Sequence, residues 1–247
     1  MSKLPITFLL FTQQLQPSMK RIGVLIPIIA VIALSGFLQF TSTVYGDGSS
    51  IEKKCLIIVS GSEGYSQNEL DKASSFREYM LEDLDQFDIK YLTDPDDPDS
   101  DGPANQSNIE SAFYWLQNVC DPGTEAIVYI FDHIIAVNNN NTFIFDDCNI
   151  TTSTIDGWLK EVDHSEMTII LNGEKSGLGG PDLSGPGKDV ICSMRSFQEC
   201  DPDLFDITRG LEDPSADTNQ DGKVSYIEAY WKEVENLQGT DQEPVQF

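Results

Sequence analysis

Beyond residue 47 the apolar positions form short continuous runs, separated by charged stretches in which they recur every three or four residues. Cys55-Leu-Ile-Ile-Val-Ser60 is apolar nearly throughout and is followed by Gly61, the pattern of a strand covered on both faces. Leu70, Ala73, Phe76, Met80, Leu81 and Leu84 share one face of a helix predicted over Asn68 to Leu84. Phe87 to Leu92 reads as a second strand. A turn-rich acidic segment, Asp94 to Asn105, leads to a helix over Asn108 to Val119 with Ile109, Ala112, Phe113 and Leu116 inward. The strongest strand, Ala126 to Phe131, ends in Asp132-His133. Then come an asparagine-rich turn, a short strand Thr142 to Phe145, a helix Thr154 to Val162, and strands Met167 to Leu171 and Asp189 to Met194. Gly177 to Gly187, with five glycines and two prolines, reads as a mobile loop. Strands alternating with helices predict an α/β fold with right-handed crossovers and a mainly parallel sheet. Ligands of such sheets collect at the carboxyl ends of the strands.

The N-terminal part has a different pattern. Lys20 and Arg21 precede an uncharged stretch whose apolar part, Ile22 to Phe40, is 19 residues, about 28 Å of helix and close to the thickness of a bilayer core. Basic residues before it and acids after it place the rest of the chain outside. Residues 1–46 are therefore either a signal peptide cleaved near Val44-Tyr45-Gly46, with Met19 as a second start, or a single-pass membrane anchor through residues 22–40. Either way the expected location is extracellular, anchored or secreted. Three acceptor tripeptides, Asn105-Gln-Ser, Asn140-Asn-Thr and Asn149-Ile-Thr, fit export.

Charge narrows the partners. Fifteen basic against 41 acidic residues give a net charge of −26. Such a surface attracts cations and repels nucleic acid and anionic lipid, so a nucleic-acid partner is excluded. The five cysteines, Cys55, Cys120, Cys148, Cys192 and Cys200, contain no CxxC pair and indicate neither a zinc site nor a disulfide scaffold.

One segment carries specific chemistry. Asp217-Thr-Asn-Gln-Asp-Gly-Lys-Val-Ser-Tyr-Ile-Glu228 has the spacing of the twelve-residue EF-hand loop. Asp217, Asn219 and Asp221 would supply oxygens, Gly222 the sharp turn and Lys223 its carbonyl. Ser225 would contribute at position nine and Glu228 both carboxylate oxygens. Hard oxygen donors in a flexible loop point to Ca2+. An exiting helix is expected with Ile227, Tyr230, Trp231, Val234 and Leu237 on one stripe. Pro214 argues against a full entering helix, so a loop that staples one helix is expected rather than a sensor. Asp97-Pro-Asp-Ser-Asp-Gly102 begins in the same way, but Asn108 stands where the glutamate belongs. A turn before the next helix and a weak cation site are the two readings there.

Four segments in order, Leu56-Ile-Ile-Val-Ser-Gly61, Asp101-Gly-Pro-Ala-Asn-Gln-Ser-Asn-Ile109, Ile127-Val-Tyr-Ile-Phe-Asp-His133 and Ile169-Ile-Leu-Asn-Gly-Glu-Lys-Ser-Gly177, resemble the legumain-type peptidases of the caspase-like clan. The resemblance implies a caspase-like three-layer sandwich over residues 47–212, with residues 213–247 as an EF-hand-type loop and helix packed on it. It also implies a catalytic histidine at His133, an oxyanion-binding glycine amide at Ile134 and a nucleophilic cysteine at Glu174. Asn172-Gly173 and Ser176-Gly177 keep the frame around the substituted position. The leading expectation is a non-catalytic, exported, calcium-stabilised binding or structural module with a protein or peptide partner. The alternatives are a hydrolase using His133 with Glu174 or Ser176, and a calcium-dependent surface adhesion protein. His164 is expected to be solvated, and Cys192 to be a buried thiol.

Overall fold

The computed structural model describes residues 51–60, 67–82, 87–93, 97–145, 147–198 and 204–247. The apolar stretch 22–40, the cleavage site at 44–46 and Cys200 lie outside the described residues. Among those described, no helix is long and apolar enough to cross a membrane.

Five parallel strands run through the centre: β1 (Lys53–Val59), β2 (Phe87–Leu92), β3 (Glu125–Phe131), β7 (Glu166–Asn172) and β8 (Lys188–Cys192). With the two-residue antiparallel strand β9 (Val245–Gln246) they form a six-stranded sheet in the order β2-β1-β3-β7-β8-β9. The apolar runs are buried on both faces because side chains alternate. Leu56, Ile58, Val128, Ile130, Ile169 and Leu171 face one core, and Cys55, Ile57, Val59, Ile127, Tyr129 and Ile170 face the other. Helices α2 (Gln106–Val119) and α3 (Thr152–Leu159) cover the first face. Helices α1 (Gln67–Glu82), α5 (Ile207–Leu211) and α6 (Tyr226–Asn236) cover the second. The result is a three-layer α/β sandwich.

Both long edges of the sheet are occupied. Beside β2, Asp101 N donates to Tyr91 O at 2.7 Å, Tyr91 N donates to the Asp101 carboxylate at 2.8 Å, and Thr93 N donates to Gly102 O at 3.2 Å. Beside β8, the Ile191↔Gln246 and Cys192↔Val245 pairs are extended by two bonds between Val190 and Phe247 at 2.9 and 3.1 Å.

The expected strand over Thr142 to Phe145 is the centre of a second sheet whose two flanking strands were not expected. Strands β4 (Ile134–Val137), β5 (Asn140–Ile144) and β6 (Asn149–Thr151) pair antiparallel. Asn138 and Asn139, with φ of 51° and 65°, form the tight connection between β4 and β5, because asparagine tolerates the left-handed region. Helix α2 begins at Gln106 rather than Asn108 because the Asn105 side chain caps Asn108 N at 2.9 Å. Helix α3 begins at Thr152, capped by Thr151, and ends at Leu159 rather than Val162.

The glycine-rich segment 177–187 is a correction to the mobile loop expected there. Ser176–Leu178 is a 3-10 turn and Gly180–Leu183 a short helix, α4. Its glycines serve close packing: a Cβ on Gly177 would sit 2.7 Å from Met194 O, and one on Gly180 would meet the Phe247 ring.

The C-terminal segment is docked through an ion pair between a half-exposed arginine and a buried glutamate. Glu233 is fully buried and bonded to Arg209 Nε at 3.0 Å and Arg209 Nη2 at 2.6 Å. Asp206 N and Asn236 Nδ2 satisfy its remaining valences at 3.0 and 2.8 Å. Of the expected stripe of α6, Ile227, Tyr230, Val234 and Leu237 pack on the core; only Trp231 does not, and Glu233 is buried in addition. Ala229, Tyr230, Glu233 and Leu237 are buried, while Trp231 is 58% exposed.

Candidate functional site

His133 and Glu174 leave the carboxyl ends of the adjacent strands β3 and β7, where Phe131 pairs with Asn172. Gly173, at φ +142°, bends the chain so tightly that a Cβ there would lie 2.0 Å from Asp132 O. Three contacts fix the bend. Asp132 N donates to Asn172 O at 2.9 Å, Ile134 N donates to Glu174 O at 3.1 Å, and His133 Nδ1 lies 3.3 Å from Glu174 Oε2. Both side chains are about one-third exposed, at 31% and 39%. Glu174 thus engages the imidazole with its carboxylate and the following amide with its carbonyl. The Ile134 N–H, at the position the resemblance assigns to an oxyanion donor, is already spent. The frame predicted the meeting of His133 and Glu174; the Ile134 bond had no signal in the sequence.

The other candidate nucleophiles lie elsewhere. Ser176 is fully buried, its Oγ 3.2 Å from Ser193 Oγ and accepting Met194 N at 3.1 Å, so it ties β7 to β8. Cys55, Cys120, Cys148 and Cys192 are all free thiols. Burial pushes the Cys148 thiol up to about 12, with a hydrogen bond to Asp147 and the charges of Asp147 and Asp132 adding to it. Burial likewise raises Cys120 to about 11 and carries Cys55 and Cys192 well above the usual thiol range. None of the four is a thiolate at neutral pH.

At the opposite end of the sheet lies the loop Asp217 to Glu228. It is preceded by α5 and a 3-10 turn over Pro214–Ala216 rather than by a long helix, as Pro214 implied. Asp217 accepts from Asp221 N at 3.2 Å and Gly222 N at 3.0 Å. Asn219 Oδ1 accepts Asp221 N at 2.8 Å, and Asp221 Oδ1 accepts Lys223 N at 2.9 Å. Gly222 sits at φ +89°, the left-handed turn that the sixth position requires. Glu228 accepts from Thr218 N at 3.0 Å, Asn219 N at 3.1 Å and Ser225 N at 3.0 Å, the last as part of a capping box. The Ser225 bonds lead in holding its carboxyl down at about 2, with Asn219 and Thr218 adding to them.

These carboxylates are held by main-chain amides rather than gathered on one point. Among the described residues no three of His, Cys, Asp and Glu converge as a metal cage. The loop borders a cleft of about 630 Å³ that also touches Lys53, Glu125 and Glu166 at the amino ends of the strands. At the other acidic segment, Asp97 and Asp101 serve the turn and the β2 edge, and Asn108 Nδ2 donates to Pro103 O.

His164 is less solvated than expected. Its Nδ1 is buried without a hydrogen-bond partner, and burial, followed by the Lys188 charge, lowers its pKa.

With a parallel sheet between two helical layers, and a histidine and a glutamate meeting at the carboxyl ends of β3 and β7, the fold is caspase-like. Among solved structures the chain is similar to that of the Drosophila initiator caspase Dronc. The TM-score is 0.51 at 12% identity, over 82% of this chain and 85% of that one. At this identity the likeness concerns fold alone, and it supports the caspase-like fold that the resemblance implied. In sequence the chain matches no family model and no curated protein.

Proposed function

We propose that the chain is an exported, calcium-binding, non-catalytic member of the caspase/legumain-like group, acting as a binding or structural module outside the cell. One observation carries the non-catalytic part. Glu174 stands at the nucleophile position, paired with His133 and accepting the Ile134 amide. A carboxylate so placed offers no thiolate to an acyl carbon, and the amide beside it is not free to hold an oxyanion.

The calcium part rests on donor chemistry. Asp217, Asn219, Asp221, the Lys223 carbonyl, Ser225 and Glu228 are all hard oxygen donors, already turned around Gly222. A bound calcium ion would supply charge neutralisation and cross-linking of the loop to α6, with no part in bond chemistry.

The test is a peptidase screen on the purified full chain, with and without calcium and a thiol-alkylating reagent. No turnover in any arm is expected. Turnover abolished by His133→Ala would instead establish a hydrolase of altered chemistry.

A further inference from the structure

The fold sorts the three acceptor tripeptides. Asn105 is half-buried and spends its side-chain oxygen capping α2. Asn140 and Asn149 are exposed, and both belong to the small antiparallel sheet. Asn140 directly follows the left-handed pair Asn138 and Asn139 at the tip of the β4–β5 hairpin. Asn149 opens β6, opposite Ile144.

Register places both acceptors on one face. Directly paired residues of antiparallel strands point to the same side, and neighbours along a strand alternate. Thr142 pairs with Thr151, and Ile144 with Asn149, so Asn140, Thr142, Ile144, Asn149 and Thr151 share a face. The opposite face carries the buried Phe143 and Ile150 of the main core. Through the pairs Ile135↔Thr142 and Val137↔Asn140, strand β4 adds Ile135 and Val137 to the outer face, Val137 at 38% exposure. The outer face therefore carries a strip of Ile135, Val137 and Ile144 around the buried Thr142, with an exposed acceptor asparagine at each of two corners.

We propose that Asn140 and Asn149 carry N-linked oligosaccharides flanking this strip, and that Asn105 does not; the proposal rests on the export reading. The donor is a lipid-phosphate-linked oligosaccharide on the exported side of the membrane. The asparagine Nδ2 bonds to the anomeric carbon, and the bond from that carbon to the phosphate oxygen breaks. The electron pair departs with the lipid phosphate, and the amide proton passes to a base of the transferase. The added sugars are bulky and hydrophilic, and at these corners they displace no packed residue.

The experiment is translation of the full chain with endoplasmic-reticulum microsomes. Protease protection reads translocation, and mass is read before and after peptide-N-glycosidase. A protected product with two glycans is expected, one lost in Asn140→Gln, one lost in Asn149→Gln and none lost in Asn105→Gln. A protected product of unmodified mass, or one whose glycan disappears only with Asn105→Gln, overturns the proposal while leaving export standing. A product that is not protected overturns both.

Discussion

The two ends of the central sheet carry acidic groups under opposite management. At the carboxyl end, Glu174 is matched to side chain and backbone of the facing strand, so His133 and the Ile134 amide are consumed within the protein. At the amino end, Asp217, Asp221 and Glu228 are held by main-chain N–H groups, which stabilise negative charge without neutralising it. Glu228 consequently keeps a carboxyl near 2. Pairing closes a site to new chemistry, whereas the Glu228 carboxylate, held by N–H and O–H donors alone, keeps its charge. That difference is why the non-catalytic and calcium-binding proposals go together.

The largest loss is expected from unseating the segment that carries the loop. Arg209→Met leaves the fully buried Glu233 carboxylate without its cation; because Arg209 is itself half-exposed, the loss should fall at or below the about 3–5 kcal/mol of a fully buried pair. Urea denaturation should show that loss in a single transition, because α5 and α6 share a core with the sheet.

Gly173→Ala attacks the carboxyl end. Its Cβ would fall on Asp132 O at a φ of +142°, and backbone strain of this kind costs about 1–3 kcal/mol. Denaturation should register it, and the His133 imidazole resonances should shift as Glu174 moves.

Glu228→Gln sharpens the amino-end half. The wild-type melting temperature should rise with calcium, and the variant's should not. An equal rise in both would remove the loop as the binding site.

A smaller effect is expected from pH. His164, in the turn before β7, has a folded-state pKa below its ordinary value, through burial and then Lys188. The unfolded chain therefore takes up the proton first, and stability present above about 6.5 is lost as pH falls below it. His164→Gln should flatten that slope in pH-dependent melts. Smallest of all, His133→Ala should leave stability within about 0.5 kcal/mol, as for a partly exposed side chain whose one ion pair is itself partly exposed.

The layers of the sandwich were legible in the sequence because β1, β3 and β7 are continuous apolar runs that only a doubly covered sheet explains. Of the small sheet only the asparagine-rich turn and the strand over Thr142 to Phe145, now β5, were legible; β4 and β6 were not, because Asn138 and Asn139 accepting positive φ read as a turn without declaring that a strand precedes it. Two-residue β9 exists only through its bonds to β8. Trp231 and Glu233 traded places on α6 because a charged residue reads as solvated until its partner, Arg209 from a different helix, is known. At the site, the frame around residues 172–177 located His133 against Glu174. The Ile134–Glu174 bond depends on the bend at Gly173, and no side-chain pattern encodes that.

The occupied edges of the large sheet bear on how copies of this chain could meet. An open strand is a template for a neighbour's backbone, but here Asp101 and Gly102 stopper one rim and Val245 to Phe247 the other. These contacts blunt edge-to-edge pairing at the Tyr91–Thr93 end of one rim and along Val190–Cys192 at the other. Contact between copies across these stretches would therefore be made by side chains, and would be reversible by ordinary surface substitutions.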